Sequence, residues 1–193
     1  TLDWINKSTK SDHPWVVNLD ELGPANRGAD PDDREDNNQD TLRNQVLWAN
    51  LMAGGGGVEW YFGYLNHDND LGCEDWRSRD RLWDYTHYAL NFFQQNLPFT
   101  KMESRDDLIS SEQQSYCFAQ EGELYAIYLA KGGKCTLDIR DTMDSFLVSW
   151  FNPRTGGQLQ KGSIEKLTPG SLADIGTPPD NEDKDWVALI KKI

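Results

Sequence analysis

Pro14-Trp15-Val16-Val17-Asn18-Leu19-Asp20-Glu21-Leu22-Gly23-Pro24 is an apolar run of strand type that ends abruptly on two acids and a Gly-Pro turn. A barrel strand that delivers a carboxylate to a site at its carboxyl end has this form. Some forty residues on, Gly54-Gly55-Gly56-Gly57-Val58-Glu59-Trp60-Tyr61-Phe62-Gly63-Tyr64 repeats the layout, a short β-rich run with an acid beside an aromatic. A helical pattern lies between the two, so the expected order is strand, helix, strand. That alternation is the repeat unit of α/β barrels.

Working outward, a polar start at Asp40 leads into Leu42, Val46, Ala49 and Ala53, a 3.6-period stripe ended by Gly54–Gly57. A second helix is expected from about Asp75 to Asn96, with Leu82, Tyr85, Ala89, Phe92 and Phe93 on one face and Pro98 beyond its end. After Lys101 the period changes to two. Tyr116–Glu121, Leu124–Ala130, Cys135–Ile139, Phe146–Asn152, Ser163–Leu167 and Trp186–Lys191 are short aromatic and β-branched runs separated by Gly and Pro turns. Strands at this spacing without helices predict an antiparallel β-sandwich. The expected fold is therefore α/β plus all-β: residues 1–103 as the last two strand-helix units of a (β/α)8 barrel, and residues 104–193 as a sandwich. An open parallel pair leaves edges and faces uncovered, so self-association or extensive packing against the sandwich is expected to cover Leu42, Val46, Leu82 and Phe93, with a missing upstream barrel segment as a further expected partner.

Bulk properties narrow the partners. The 193 residues carry a formal net charge of −13, with 18 acids against 10 bases over residues 1–105 and 14 against 9 over residues 106–193. Phosphate backbones need clustered Lys and Arg, so no nucleic acid is expected. No run approaches the roughly 18 apolar residues of a membrane span, and no basic-then-apolar leader opens the chain at Thr1. A mature product and a fragment of a longer protein both fit that start. Cys73, Cys117 and Cys135 show no metal-type spacing. Cys117 and Cys135, on neighbouring predicted strands, fit either a disulfide or small buried thiols.

Glycoside hydrolysis uses two carboxyl groups across a sugar ring. Glu21, at a strand end beside a turn, is the first candidate for one of them, as nucleophile or base. Its structural alternative is a capping or ion-paired acid. Glu59 alternates with Trp60, so one of the two points inward, and Glu59 is either a second acid or a paired structural one. Trp60, Tyr61 and Tyr64 offer faces for sugar stacking, although most of the eight Trp residues belong in a core. His13, His67 and His87 lack ligand spacing. The stretches Asp30–Asp36 and Asp68–Asp75 lack the twelve-residue calcium loop, and Gly54–Gly57 closes a helix instead of opening one. Neither a metal nor a cofactor is expected.

Pro14–Gly23, Met52–Gly63, Ser149-Trp150-Phe151-Asn152-Pro153-Arg154-Thr155-Gly156-Gly157 and Asp185-Trp186-Val187-Ala188-Leu189 together resemble the C-terminal portion of apiosidase-like glycoside hydrolases. Those proteins join a (β/α)8 barrel to a β-sandwich called the "putative collagen-binding domain of a collagenase". The resemblance implies that the chain begins just before the seventh barrel strand, that Glu21 matches the nucleophile position, and that Trp60 matches an aromatic platform on the eighth. It also implies a secreted or periplasmic protein with a carbohydrate substrate. The strand expected to supply the acid/base is absent from the sequence, so the isolated chain is expected to be inactive. A non-catalytic carbohydrate- or matrix-binding sandwich module is the competing expectation.

Overall fold

The computed structural model describes residues 1–72 and 75–193. The chain divides into two compact units, residues 1–87 and 88–193. Among the described residues, eleven strands form three sheets and three helical stretches accompany them.

The first unit opens with helix α1 (Leu2–Thr9), which the sequence reading did not foresee. Strand β1 (Asn18–Leu19) pairs in parallel with β2 (Gly57–Val58) through Asn18↔Gly57 and Leu19↔Val58. Between them runs helix α2, residues 39–52, whose ends Gln39–Thr41 and Ala49–Met52 are α and whose centre Leu42–Trp48 is a π-helix. Helix α3 (Asp80–Asn96) begins after the 3-10 turn Trp76–Arg79. Leu42 and Leu82 are buried and Val46 is half-buried.

The expected last two units of a (β/α)8 barrel are not what this chain forms. Sheet dominates the described residues, and the only parallel pairing is two residues long on each strand. Both barrel-type runs give up strand geometry early, for a physical reason. Val16 is 75% exposed and Trp15 48% exposed, so the apolar run before β1 faces water instead of a barrel core. Beyond β2, the backbone of Tyr61–Gly63 leaves extended pairing to cross the segment around Gly28. A Cβ on Gly28, at φ +55°, would fall under 3 Å from the Tyr61 carbonyl oxygen and the Gly63 nitrogen. Only glycine permits that approach at that backbone angle. The crossing is stitched by Ala29 N–H to Tyr61 O at 2.8 Å, Leu65 N–H to Asn26 O at 3.0 Å and the Asn66 amide to Arg27 O at 3.0 Å.

Buried polar side chains hold these loops. Arg79 is fully buried and donates to the carbonyls of Ala29 (3.0 Å), Asp68 (2.7 Å) and Phe62 (3.3 Å), with its guanidinium 4.2 Å over the Phe62 ring. Burial pulls its pKa down, opposed by the carboxylates of Asp68, Asp30, Asp70 and Asp32. Asp30, also fully buried, accepts from Arg27 (2.6 Å), Arg34 (3.2 Å) and the Asn38 N–H (3.0 Å). A buried charge persists only when paired in this way.

The second unit is a sandwich of two antiparallel sheets. Six strands lie in the order β3 (Glu103–Ser104), β5 (Ser115–Gln120), β6 (Leu124–Leu129), β11 (Trp186–Lys192), β8 (Phe146–Phe151) and β9 (Lys166–Leu167). The other sheet runs β10 (Leu172–Asp174), β7 (Cys135–Asp138) and β4 (Ile109–Ser111). Tyr125, Ile127, Leu129, Trp150, Trp186 and Ala188 of the first sheet share one core with Cys135, Leu137, Ala173 and Ile175 of the second. The opposite face of the six-stranded sheet meets α3, with Phe92 4.8 Å from Phe151 and Phe93 6.0 Å from Phe118 between ring centroids. Strand β6 is buried on both faces, which is why Leu124–Leu129 is apolar throughout instead of alternating.

Cys117 and Cys135 are free, buried thiols, and no disulfide joins them. Burial pushes both upward, Cys135 to about 12. Cys73 lies outside the described residues.

Candidate functional site

The backbone turns sharply where β1 ends. Leu22 is buried and anchors the turn, while Glu21 before it sits at φ +45° with an exposed side chain. A bulky residue at positive φ is uncommon and costs on the order of 1–3 kcal/mol, and such outliers collect at functional positions.

Glu21 lies close enough to Tyr61 to act on it electrostatically. Burial, then the negative charges of Glu21 and Asp70, hold the Tyr61 phenol above its ordinary pKa. Tyr61 stays a hydrogen-bond donor, giving its O–H to the Pro24 carbonyl at 2.6 Å. Tyr64, also felt by Tyr61, is 57% exposed. Glu21, Tyr61 and Tyr64 thus bring an exposed acid and two phenols together on crossed loops.

Glu59 takes a different direction. Its N–H continues the parallel ladder to Leu19 O at 3.0 Å, and its side chain is exposed. Asn18, Asp20, Gly56, Gly57, Val58 and Glu59 line an open hollow of about 380 Å³. The second acid beside Glu59 in this hollow is therefore Asp20, not Glu21. Period-2 alternation turns Asp20 to the side opposite Glu21, and the register Leu19↔Val58, visible only in the structure, brings it beside Glu59. Trp60, half-buried, gives its indole N–H to Thr86 Oγ1 at 2.9 Å, and Thr86 donates onward to Leu82 O at 2.8 Å. Trp60 is thereby fixed against α3 within the first unit. Tyr61 is the participant that sequence reasoning named only in passing.

In the acidic stretch Asp30–Asp36, three carboxylates are engaged internally and Asp33 and Glu35 are exposed. Asp30 is saturated as described, Asp36 pairs with Arg34 at 2.7 Å, and Asp32 accepts from the Arg81 N–H at 3.1 Å. In the second stretch Asp68 meets His67 at 2.8 Å, Asp70 accepts from the Phe62 N–H at 2.8 Å, and Asp75 pairs with Arg77 at 3.0 Å, while Glu74 lies outside the described residues. Among the described residues no three His, Cys, Asp or Glu side chains gather as a metal site, and no helix is long and apolar enough to cross a membrane.

In the second unit, the motif Trp150–Gly157 is a clamp. The Asn152 side chain accepts from the Arg154 N–H at 3.0 Å and the Asn152 carbonyl from the Gly156 N–H at 2.9 Å, closing a tight turn. The Arg154 guanidinium donates to the Asp185 carbonyl and lies 5.1 Å over the Trp186 ring, and Tyr128 O–H donates to the Asp185 carboxylate at 2.9 Å. These bonds explain why the Asn-Pro-Arg turn and the distant Asp185-Trp186 pair belong together.

No curated protein matches the sequence. Among solved structures, the chain is similar to a glycoside hydrolase family 5 protein from Bacteroides vulgatus ATCC 8482, at 14% identity with a TM-score of 0.69 over 98% of this chain and 44% of that one. A second, described as a glycoside hydrolase, matches at 13% identity with a TM-score of 0.65 over 98% of this chain and 45% of that one. At such identities the likeness speaks for the fold alone, and the chain spans less than half the length of either structure. Residues 106–191, the described sandwich without its first strand, match the family model "Putative collagen-binding domain of a collagenase".

Proposed function

We propose that this chain is part of a glycoside hydrolase acting on a polysaccharide or oligosaccharide, with Glu21 as nucleophile or base, Trp60 and Tyr64 as sugar contacts and Glu59 as a secondary acid. The observation that carries the reading is Glu21 itself: an exposed carboxylate on a strained backbone, at the carboxyl end of a strand, among tyrosines. Aromatic faces suit the C–H patches of sugars, and a carboxylate beside them suits their hydroxyls or an anomeric carbon. The two solved glycoside hydrolases that share the fold support the same class.

The chain alone is proposed to turn over poorly. A group that protonates a leaving sugar sits in apolar surroundings in enzymes of this chemistry, whereas Asp20, Glu21 and Glu59 are all exposed to water. Loss of general acid help alone removes roughly 10²–10⁴-fold. The test compares these 193 residues with the longest natural polypeptide that carries them, on a panel of neutral and acidic polysaccharides. The longer protein should release sugar and lose at least about 10²-fold in rate on Glu21→Gln. Equal turnover by the variant would remove Glu21 from the mechanism.

The match of residues 106–191 favours a second reading, a non-catalytic carbohydrate- or matrix-binding sandwich. Retention of carbohydrate by residues 88–193, with no glycan hydrolysed by any longer form, would select it.

A further inference from the structure

A groove of about 200 Å³ in the second unit lies between the Asn152–Gly157 turn and the C-terminal half of α3. Buried Phe92 and Phe151 form its base, Tyr88 one wall, and the exposed Gln95, Gly157 and Gln158 its rim. Asn91 and Asn96 add two more carboxamides, that of Asn96 also donating to the Phe92 carbonyl at 3.0 Å. None of the lining residues is charged, on a chain whose net charge is −13. A carboxamide both donates and accepts hydrogen bonds, as a sugar hydroxyl does, and half-buried Tyr88 is the lining ring that keeps surface for a sugar C–H face, while Phe92 and Phe151 pack on each other beneath.

We propose that this groove binds a neutral oligosaccharide, as a site separate from the Glu21 cluster and independent of whether that cluster is catalytic. A cation, a phosphate or an acidic chain would need opposite charge that the lining lacks. The groove is also preformed. Gly156 and Gly157 take φ of +65° and +93°, and a Cβ on Gly156 would strike the Tyr88 ring, so the turn packs flush against that side chain. The Asn152 turn and the Arg154–Asp185–Tyr128 clamp hold that geometry without a ligand, which lowers the ordering cost of binding.

The test follows backbone amide resonances of Gly156 and Gly157 and side-chain amides of Asn91, Gln95 and Gln158 in the full chain. The probes are cellohexaose, xylohexaose, mannohexaose and maltohexaose, with oligogalacturonate and a Gly-Pro-Pro triple-helical peptide as charged and protein competitors. At least one neutral sugar should shift these resonances saturably. The double variant Gln95→Ala/Gln158→Ala should weaken that sugar at least tenfold, about 1.4 kcal/mol, whereas Glu21→Gln should leave it unchanged. Both glutamines are exposed, and an unchanged urea midpoint checks that the variant folds; either single variant serves if it does not. The proposal is overturned if no neutral sugar shifts the groove, if the glutamine variants bind as tightly as the parent, or if only oligogalacturonate or the triple helix occupies it.

Discussion

Residues 88–193 bury Tyr125, Ile127, Trp150 and Trp186 completely, whereas residues 1–87 bury Asp30, Gln39 and Arg79 as completely as they bury Leu82. In the sandwich, order comes from apolar faces that close on each other, and the stabilisation follows area removed from water. The first unit buries Trp48, Met52 and Leu47 too, but its irregular loops are held by one guanidinium that collects backbone carbonyls and by arginines matched to Asp30 and Asp36. Apolar burial makes a rigid platform anywhere, but a loop cluster that must present Glu21, Tyr61 and Tyr64 to solvent has little apolar surface to bury, and polar side chains replace it.

The sharpest break of this comparison is a cavity in the sandwich. Trp150→Ala should cost about 3–5 kcal/mol in urea unfolding; a loss below about 1 kcal/mol would mean that the two sheets do not share a core at this residue. Next comes Arg79→Met, which takes the Arg79 donor from the Ala29 and Asp68 carbonyls, while Phe62 O keeps the Asn66 amide, and should cost about 1.5–3 kcal/mol. Amide exchange at Ala29 and Leu65 should accelerate in this variant, with Ile127 as the internal standard. Unchanged exchange at both would show that the loop crossing stands without Arg79. Gly28→Ala strikes the Tyr61 carbonyl at a left-handed backbone angle and should cost about 1–3 kcal/mol.

A smaller effect reads the burial of the sandwich thiols through pH. Cys135 is raised by burial from 9.0 to about 12, and Cys117 is raised too. Because the folded state keeps protons that the unfolded thiols release, this contribution is complete below pH 9.0 and is lost as pH rises towards about 12. The urea midpoint should fall over that window, less steeply in Cys135→Ala. Buried Tyr125, also raised, adds the same sign and remains in the variant. An identical slope in Cys135→Ala would contradict the burial of this thiol. The smallest effect is expected for Glu21→Gly, which relieves a positive φ but loosens the unfolded chain. The two terms leave stability between unchanged and about 1 kcal/mol higher. A clear loss of stability would make Glu21 a structural residue.

The sandwich was legible because each of its rules is local. Alternation at Tyr116–Glu121 and Phe146–Asn152 and the turns between them fix strands without knowledge of partners. The first unit was less so. Val16–Leu19 and Val58–Phe62 have strand composition, and they do pair in parallel, but only for two residues each. What cuts them short is the crossing of Gly28 and Gly63 and the hydrogen bond from Arg79 to Ala29, fifty positions apart in sequence. No periodicity encodes such a contact. Glu21 stood out through the turn that follows it. Its neighbour Tyr61 gained significance only when two loops met, and the shared hollow of Asp20 and Glu59 depends on a register that composition does not show.

The most direct test of the account is a titration of the chain with the neutral hexasaccharides, followed at the Tyr61 and Tyr64 ring resonances, in the parent and in Glu21→Gln. The account predicts saturable shifts of both rings in the parent, weakened at least about tenfold in the variant, or about 1.4 kcal/mol, with the fold unchanged. Rings that no sugar shifts, or shifts of equal affinity in Glu21→Gln, would contradict the assignment of this cluster to carbohydrate.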